Sequence, residues 1–315
     1  MLECTDRFCR YFLRLISKHT VLYTEMVTTG ALLHGDADYH LRMDPIEHPV
    51  ALQLGGSEPQ ALAKASKLGA QYQYNEINLN CGCPSDRVQN GRFGACMMKE
   101  AELVADCVSA MQDSVNLPIT IKHRIGVDDQ DSYQFLCDFV GTISDRGCNT
   151  FIVHARKAWL NGLSPKQNRE IPPLKYERVY QLKKDFPGLE IVINGGITSI
   201  ESSKQHLQYV DGVMIGREAY SNPYLLAAVD REIYGQPGDI ITRREICNAF
   251  LDFVEDELTH GSKLHYMTRH ILGLFHGVPG ARQFRRHISE NVHKPQAGID
   301  ILTTALEKIP GEQFI

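Results

Sequence analysis

The sequence predicts an α/β protein, a (β/α)8 TIM barrel followed by an all-helical C-terminal domain. Up to about residue 231, short β-rich runs alternate with helical patterns, and this order favours parallel strands. Several runs end in polar residues, and a barrel gathers the carboxyl ends of its strands at one mouth. After Gly235–Asp239, a turn-rich linker, only helical patterns remain. We therefore expect a barrel domain at residues 1–234 and a helical domain at residues 235–315.

Seven strands are predicted in order along the barrel domain. They are Val21–Val27, Val50–Leu54, Glu76–Leu79, Leu117–His123, Thr150–His154, Glu190–Asn194 and Gly212–Ile215. The helical patterns between them include Pro59–Leu68, Ala101–Asp113, Ser132–Arg146 and Lys175–Asp185. A doubly wound open sheet is the alternative, and it ranks second because no G-x-G-x-x-G motif follows an early strand.

The strand count falls one short of the eight that a closed barrel needs. A first helix, Thr5–Ser17, begins close to the N-terminus with no strand ahead of it. Either the sheet is open, or the first strand is encoded upstream of Met1, and we favour the second explanation. Beyond the linker, four helices are predicted, at Arg243–Leu258, Leu264–Phe275, Ala281–Asn291 and Ile299–Glu307.

Composition indicates a globular protein of the cytoplasm. The chain has 315 residues, of which 43% are hydrophobic and 23% charged, and it has neither an apolar run near membrane-spanning length nor a secretory signal. Nine cysteines, an odd number, are scattered from Cys4 to Cys247, which favours reduced thiols in a reducing compartment. The net charge of −5 excludes a uniformly basic nucleic-acid coat but leaves room for a local basic patch.

Two glycine motifs follow the last two predicted strands. "VINGG" holds Asn194, Gly195 and Gly196, and "MIGR" holds Gly216 and Arg217. Each motif alone is weak, because a glycine after a strand is more often only a turn. On consecutive barrel strands they favour a phosphorylated ligand, held by backbone N–H groups and the arginine.

Three polar residues at other strand ends have both a structural and a functional interpretation. Lys122 either lies at an exposed strand end or stabilises an anion on a cofactor ring. His154 is either a hydrogen-bonded structural residue or a site residue. Gln53 either closes a turn or bonds a flat heterocycle.

The segment "NCGCPSDRVQNGRFGAC" contains three cysteines and three glycines. A zinc site is disfavoured, because Cys81 and Cys83 have the wrong spacing and the sequence has no second C-x2-C pair, so we expect no metal. A Cys83–Cys96 disulfide is disfavoured by a reducing compartment. What remains is a flexible loop with Arg87 and Arg92 and one reactive thiol. The residues alone do not choose among the three cysteines.

A basic stretch runs through the helical domain. Ser262–Lys294 has six Lys or Arg, five His and one acid, and Arg282, Arg285 and Arg286 share one helix face. Such a run is usually a solvated face, but its contrast with an acidic chain also fits contact with a phosphate backbone. Arg156–Leu174 is a second basic loop, and it leaves a strand end at the expected mouth.

Long motifs make this chain resemble the tRNA-dihydrouridine synthases. They are "EINLNCGCPSDRVQNGRFGAC", "TIKHRIG", "FIVHARKAWLNGLSPKQNREIPPL", "INGG" and "IGREAYSNP", and "LGLFHGVPGARQFRR" is similar to subfamily A, which acts on uridines 20 and 20a of the D-loop. The resemblance runs from Met1 into the helical tail. It implies an FMN-containing barrel at residues 1–234, NADPH as reductant, and a tRNA-binding helical domain at residues 235–315. It implies no membrane and no stable protein partner.

The resemblance also implies roles for individual residues. FMN would be bound by Met1, Leu2, Gln53, Lys122, His154, Asn194, Gly195, Gly196, Gly216 and Arg217. Cys96 would be the proton donor, which is the choice that the residues alone left open. Contacts with tRNA are expected at Phe93, Lys166, Arg169, Arg282 and Arg285.

One departure from the family pattern concerns the N-terminus. The family begins with a strand that runs into Ala-Pro-Met, and here Met1 and Leu2 match only the end of that motif. The true start is therefore expected upstream, and an extended chain is expected to retain more FMN. Two rival functions stay open: a flavin barrel that reduces a free pyrimidine or small enone, and a non-catalytic tRNA-binding protein without flavin.

Overall fold

A computed structural model describes residues 1–314, apart from the side chain of Arg87, and contains all seven predicted strands. The strands are β1 (Leu22–Thr28), β2 (Val50–Gly55), β3 (Glu76–Cys81), β4 (Ile119–Arg124), β5 (Thr150–His154), β6 (Glu190–Asn194) and β7 (Gly212–Met214). The bounds of β5 and β6 agree with the sequence prediction. The others differ by one or two residues at one or both ends.

The helices follow the predicted order. They are α1 (Arg7–Ile16), α2 (Thr29–His34), α3 (Ala37–Leu41), α4 (Pro59–Gln71), α5 (Asp86–Asn90), α6 (Ala101–Gln112), α7 (Tyr133–Ser144), α8 (Tyr176–Asp185), α9 (Ile200–His206), α10 (Arg217–Ser221), α11 (Val229–Glu232), α12 (Arg243–Thr259), α13 (Leu264–Ile271), α14 (Ala281–Asn291) and α15 (Ile299–Leu306). None of those in the described part of the chain is long and apolar enough to cross a membrane.

One predicted helix is too long. The pattern predicted a helix from Leu264 to Phe275, and α13 ends at Ile271. Gly273 lies just beyond it, where an added Cβ would stand 2.6 Å from the carbonyl oxygen of Ser221. The apolar pattern continues past the helix end because the following turn is also buried. In the sequence, the buried residues of that turn look like a continuation of the helix.

The seven strands form one parallel sheet in the order of the sequence, from β1 to β7. With helices between successive strands, this is the TIM-barrel-like α/β fold that the sequence predicts, and a helical region follows it. Within the described residues, β1 and β7 are the two edges of the sheet. The expectation of a further strand upstream of Met1 stays a prediction.

The sheet is buried on both faces, as parallel sheets are. All six residues of β2 are buried, and the apolar ones on its outer face pack under α4. Gly69 of α4 permits close packing, because a Cβ there would lie 2.6 Å from Cδ2 of Leu52 and 2.9 Å from Cδ1 of Ile77. The inner face is more polar, with Gln53, Asn78 and others along it.

The chain divides into two compact units that do not match a single cut in the sequence. The first consists of Met1–Leu2, Val21–Met43 and His48–Gly216, and it holds the sheet. The second consists of Glu3–Thr20, Asp44–Glu47 and Arg217–Ile315. Helix α1 and residues 217–234 therefore group with the helical region rather than with the sheet. The functional boundary expected at residue 234 stays a prediction.

Helix α1 contacts the C-terminal helices of the second unit through an ion pair and a ring stack. Its N-cap residue Asp6 accepts a hydrogen bond from the backbone of Cys9. The Arg7 guanidinium forms a bidentate ion pair with Glu257 of α12, at 2.5 and 2.6 Å. Tyr11 stacks on Phe253 with ring centroids 3.7 Å apart.

Candidate active site at the carboxyl end of the sheet

The carboxyl ends of the strands bring several predicted residues to one end of the sheet. In the parallel register, Asn80 pairs with Lys122, and His154 pairs with Asn194. Nζ of Lys122 donates to Oδ1 of Asn194 over 3.0 Å. Since β5 lies between the two strands that carry them, this hydrogen bond crosses the inner side of the sheet. The structure brings these residues together, while their roles stay predictions.

Lys122 is a buried cation without an acidic partner among the described residues. Burial lowers the pKa of Lys122 to about 8, and the positive charge of Arg124 acts in the same direction. The ammonium is therefore still mostly protonated at neutral pH. A buried charge held only by an amide oxygen is stabilised when an anion or an electron-rich ring binds next to it.

Two glycines form a closely packed turn after β6. Gly195 and Gly196 have φ angles of +120° and +70°, which side-chain-bearing residues rarely adopt. A Cβ on Gly195 would lie 2.7 Å from Cδ2 of His154, and one on Gly196 would lie 2.7 Å from Cδ1 of Leu174. Tyr176 donates its hydroxyl to the carbonyl of Gly195 over 2.7 Å. Gly195 is buried and Gly196 is exposed, so at Gly196 the turn presents backbone without a side chain, as phosphate cradles do.

Gly216 and Arg217 follow β7 as predicted. Gly216 belongs to the first unit, and Arg217 is exposed and begins α10 in the second. A Cβ on Gly216 would stand 3.9 Å from the sulfur of Met1. Met1 therefore lies beside the end of β7, and Leu2 is 57% exposed.

These residues fit the expected FMN. A glycine turn that carries no side chains suits the phosphate, and a buried ammonium without an acidic partner among the described residues suits an electron-rich ring. The amide of Gln53 can both donate and accept. It lies on the inner face of the sheet between Asn78 and Asn80, at 2.9 and 2.8 Å.

The three cysteines of the segment from Asn80 to Cys96 have different surroundings. Cys81 is the last residue of β3 and is fully buried, and burial raises its pKa well above the ordinary value. Cys83 is half-buried, with its sulfur 3.5 Å from the hydroxyl of Ser85. Cys96 is also half-buried, and its thiol donates to the carbonyl of Phe93 over 3.1 Å. All nine cysteines are free thiols, and no group of three or more metal-ligating side chains is found in residues 1–314.

Burial raises the pKa of the Cys96 thiol, and the Glu100 carboxylate acts in the same direction. The thiol is therefore protonated at neutral pH. A protonated, half-exposed thiol can give a proton to a bound molecule, whereas Cys81 has no route to one. Local structure thus separates two cysteines that the sequence motif presents as equivalent.

The segment between β3 and Cys96 is more regular than the loop that the sequence suggested. It contains α5 and a 3-10 helix at Gly94–Lys99. Gly94 has a φ of +78°, and a Cβ there would lie 2.6 Å from the carbonyl oxygen of Cys83, which accepts from the backbone of Ala95 over 2.9 Å. Phe93 is 9% exposed and packs against Gly55 and Gly91. Its expected contact with tRNA stays a prediction, and the side chain of Arg87 lies outside the described residues.

Arg124 is a site residue that the sequence analysis missed. Its buried guanidinium donates to three carbonyl oxygens, those of Gly82 at 3.1 Å, Lys157 at 3.1 Å and Asn168 at 2.8 Å. Burial lowers its pKa to about 10, so it stays charged at neutral pH. Arg124 thereby connects Gly82, in the segment between β3 and Cys96, to the loop after β5. The sequence contained a signal for this residue, because Arg124 lies two residues after Lys122 and therefore on the same face of the strand.

The loop after β5 is organised around Asn168. Its buried side chain accepts from the backbone of Trp159 over 2.8 Å and donates to the carbonyl of Trp159 over 2.9 Å. Lys166 and Arg169 flank it and are exposed. A fixed loop that presents two exposed cations is compatible with the expected contact with tRNA, which stays a prediction.

Helix α14 of the second unit carries the predicted arginines on one side. Arg282 is exposed and Arg285 is partly exposed, and the described residues give neither an acidic partner. Arg286 instead pairs with Glu290 one turn later, at 2.7 Å. The first two arginines therefore retain uncompensated positive charge, and the third does not.

Comparisons with known proteins cover the whole chain. The family model described as "Dihydrouridine synthase (Dus)" matches residues 1–310. A tRNA-dihydrouridine(20/20a) synthase of Vibrio vulnificus (strain CMCP6) is 62% identical over 313 residues, which are 99% of this chain and 96% of that protein. A protein of the same name from Escherichia coli (strain K12) is 62% identical over 310 residues, which are 98% and 90% of the two chains. Another from Vibrio cholerae serotype O1 is 59% identical over 315 residues, which are 100% and 96%.

Proposed function

Since the chain belongs to the dihydrouridine synthase family, we propose that it reduces uridine to 5,6-dihydrouridine at positions 20 and 20a of the tRNA D-loop, with FMN as cofactor and NADPH as reductant. The observation that carries this proposal is the similarity over 99% of the chain to tRNA-dihydrouridine(20/20a) synthases. The cytoplasm is the proposed compartment, and tRNA is the proposed partner.

The proposed cofactor site is built from residues at the carboxyl end of the sheet. Gly195, Gly196 and Gly216, with Arg217, would hold the phosphate. Gln53, Lys122, His154 and Asn194, together with Met1 and Leu2, would hold the rest of FMN. When bound, the flavin supplies the hydride that C6 of the uracil accepts. The Lys122 ammonium would stabilise negative charge on the reduced ring, which its protonated state at neutral pH supports.

Cys96 would supply the proton that C5 of the uracil requires. A hydride at C6 and a proton at C5 together add two hydrogens across the double bond, so the reaction balances. The raised pKa of Cys96 supports this role, because a thiol that keeps its proton at neutral pH is an acid rather than a nucleophile. The target base would leave its stack to reach the thiol, and an unpaired loop base costs least to extract.

The tRNA would be held through its phosphates. Arg282 and Arg285 support this on α14, because no acid in the described chain neutralises them. Lys166 and Arg169 would add contacts from the ordered loop after β5, and Phe93 would add one from the segment before Cys96. Since phosphate contacts fix register without reading sequence, the choice of uridine would depend on the shape of the D-loop.

The test is incubation of the purified protein with FMN, NADPH and unmodified tRNA, followed by mapping of dihydrouridine at each position. The expected product lies at positions 20 and 20a. Free uridine and free uracil serve as comparison substrates. Reduction of the free compounds but not of tRNA would refute the proposal in favour of a small-molecule flavin reductase, and tRNA binding without any reduction would refute it in favour of a binding protein.

A further inference from the structure

A chain of buried polar side chains runs along the inner face of the sheet from one end of β3 to the other. Asn80 donates to Gln53 over 2.8 Å, Gln53 donates to Asn78 over 2.9 Å, and Asn78 donates to Thr120 over 2.8 Å. Thr120 then donates its hydroxyl to Oε1 of Glu76 over 2.5 Å. The four side chains before Glu76 are at most 9% exposed, so water does not compete for these bonds.

The carboxylate of Glu76, at one end of this series of hydrogen bonds, determines which group donates and which accepts in each of them. A carboxylate only accepts, so Thr120 must give its single hydroxyl proton to Glu76. Thr120 can then only accept from Asn78, and this places the amide nitrogen of Asn78 toward Thr120 and its oxygen toward Gln53. Gln53 must in turn present its nitrogen to Asn78 and its oxygen to Asn80.

Asn80, at the opposite end of the series, independently requires the same assignment of donors and acceptors. Oδ1 of Asn80 accepts from the backbone N–H groups of Gly82 and Cys83, each over 3.0 Å. Backbone N–H groups only donate, so the Asn80 oxygen faces them and its nitrogen faces Gln53. Both ends therefore assign one orientation to the Gln53 amide, and the assignment does not depend on telling nitrogen from oxygen in the side chain itself.

We propose that Glu76 is a positioning residue for the flavin: acting through Thr120 and Asn78, and together with the backbone N–H groups that hold Asn80, it fixes which atoms of the Gln53 amide are left to face the cofactor. This inference rests on the proposed function, because it takes FMN as the ligand that Gln53 contacts. The pyrimidine-like edge of a flavin carries carbonyl acceptors and one N–H donor in a fixed order. A Gln53 amide turned around would oppose donor to donor and acceptor to acceptor along that edge.

Tyr23 offers a matched control. It also donates to Oε1 of Glu76, over 2.9 Å, but it lies outside the path from Glu76 to Gln53. Tyr23→Phe therefore removes one hydrogen bond from the same carboxylate without releasing the chain. Glu76→Gln keeps the size of the side chain but offers an amide donor to Thr120, so position 76 no longer imposes the direction that the Asn80 end requires and one bond between Thr120 and Gln53 becomes mismatched.

The measurement is equilibrium dialysis of FMN against the purified full-length chain and its variants, with the thermal midpoint recorded for each. Glu76→Gln is expected to weaken FMN binding by about tenfold, the effect of one mismatched buried hydrogen bond. Thr120→Val, which cuts the chain, is expected to weaken it similarly, and Thr120→Ser, which keeps the hydroxyl, is expected to restore it. Tyr23→Phe should bind within about twofold of the unaltered chain.

Normal FMN binding by Glu76→Gln and Thr120→Val would overturn the inference while leaving the proposed function intact. Equal losses in Tyr23→Phe and Glu76→Gln would also overturn it, because they would reflect general disruption around the carboxylate. Absence of FMN binding by the unaltered chain would overturn the proposed function, and the inference with it.

Discussion

Replacing Arg124 with lysine tests whether its geometry, rather than its charge, holds the candidate site together. The guanidinium spans three carbonyl oxygens at 2.8 to 3.1 Å, on Gly82, Lys157 and Asn168. Lysine keeps the positive charge but has one compact ammonium group on a flexible stem, and it cannot reach three acceptors that a planar fork spans.

The expected cost follows from the bonds lost. A hydrogen bond from a charged donor is worth about 1.5–3 kcal/mol, and lysine would retain about one of the three. Loss of two would amount to about 3–6 kcal/mol, and rehydration at the half-buried Gly82 would reduce this to about 2–4 kcal/mol. Arg124 is only 3% exposed, so solvent screening does not diminish the effect further.

Urea-induced unfolding of Arg124→Lys measures this cost, with Arg146→Lys as the matched control. Arg146 is 46% exposed and pairs with Glu102 and Asp106 at 3.7 and 3.3 Å, so its replacement should cost less than about 0.5 kcal/mol. The slope of the unfolding free energy against urea must stay constant for the comparison to hold. A loss at Arg124 no larger than that at Arg146 would refute the reasoning.

Three further outcomes are expected. Cys96→Ala should lower dihydrouridine formation by about 10²–10⁴-fold with unchanged flavin content, measured by product mapping, whereas Cys83→Ala should retain activity; equal activity of both variants would remove Cys96 from the reaction. Flavin binding should weaken as the pH rises through about 8, because the buried ammonium of Lys122 loses its charge there, and Lys122→Met should abolish this step in equilibrium dialysis. Arg282→Gln should weaken tRNA binding and reduce the slope of log affinity against log salt by about 1. Arg286→Gln should change that slope less, because an acid one turn later already pairs with this arginine; equal slopes for the two variants would count against a phosphate contact at Arg282.

The strands were predictable because each is a short β-rich run, and several of them carry a polar residue at the carboxyl end. Both ends of helix α14 were predicted correctly, because its amphipathic pattern is regular. In the structure, Gly280 directly before it has a φ of +82°. Division into units was not predictable from the local pattern. Helix α1 precedes every strand in the sequence, and its assignment to the second unit depends on partners more than 200 residues away, such as Glu257.

The candidate site was also only partly predictable from the sequence. Strand periodicity places Glu76 in line with Asn78 and Asn80, so its inward position could have been deduced from alternation alone. What alternation does not give is the partner on the next strand, Thr120, because that depends on register. Asn168 carries no sequence signal at all, since its role arises from a loop that closes around its side chain.

The composition of the second unit has a consequence for how the protein is made. Helix α1 is synthesised well before its partners on α12 and α13, which follow about 240 residues or more later. Through most of translation, Phe12 of this helix lacks its aromatic partner Phe250, although Arg10 already has its ion-pair partner Glu47. Contacts of such long sequence separation slow folding and lengthen the exposure of apolar surface. During synthesis, the contacts that α1 makes with α12 and α13 therefore form last, after nearly the whole sheet has left the ribosome.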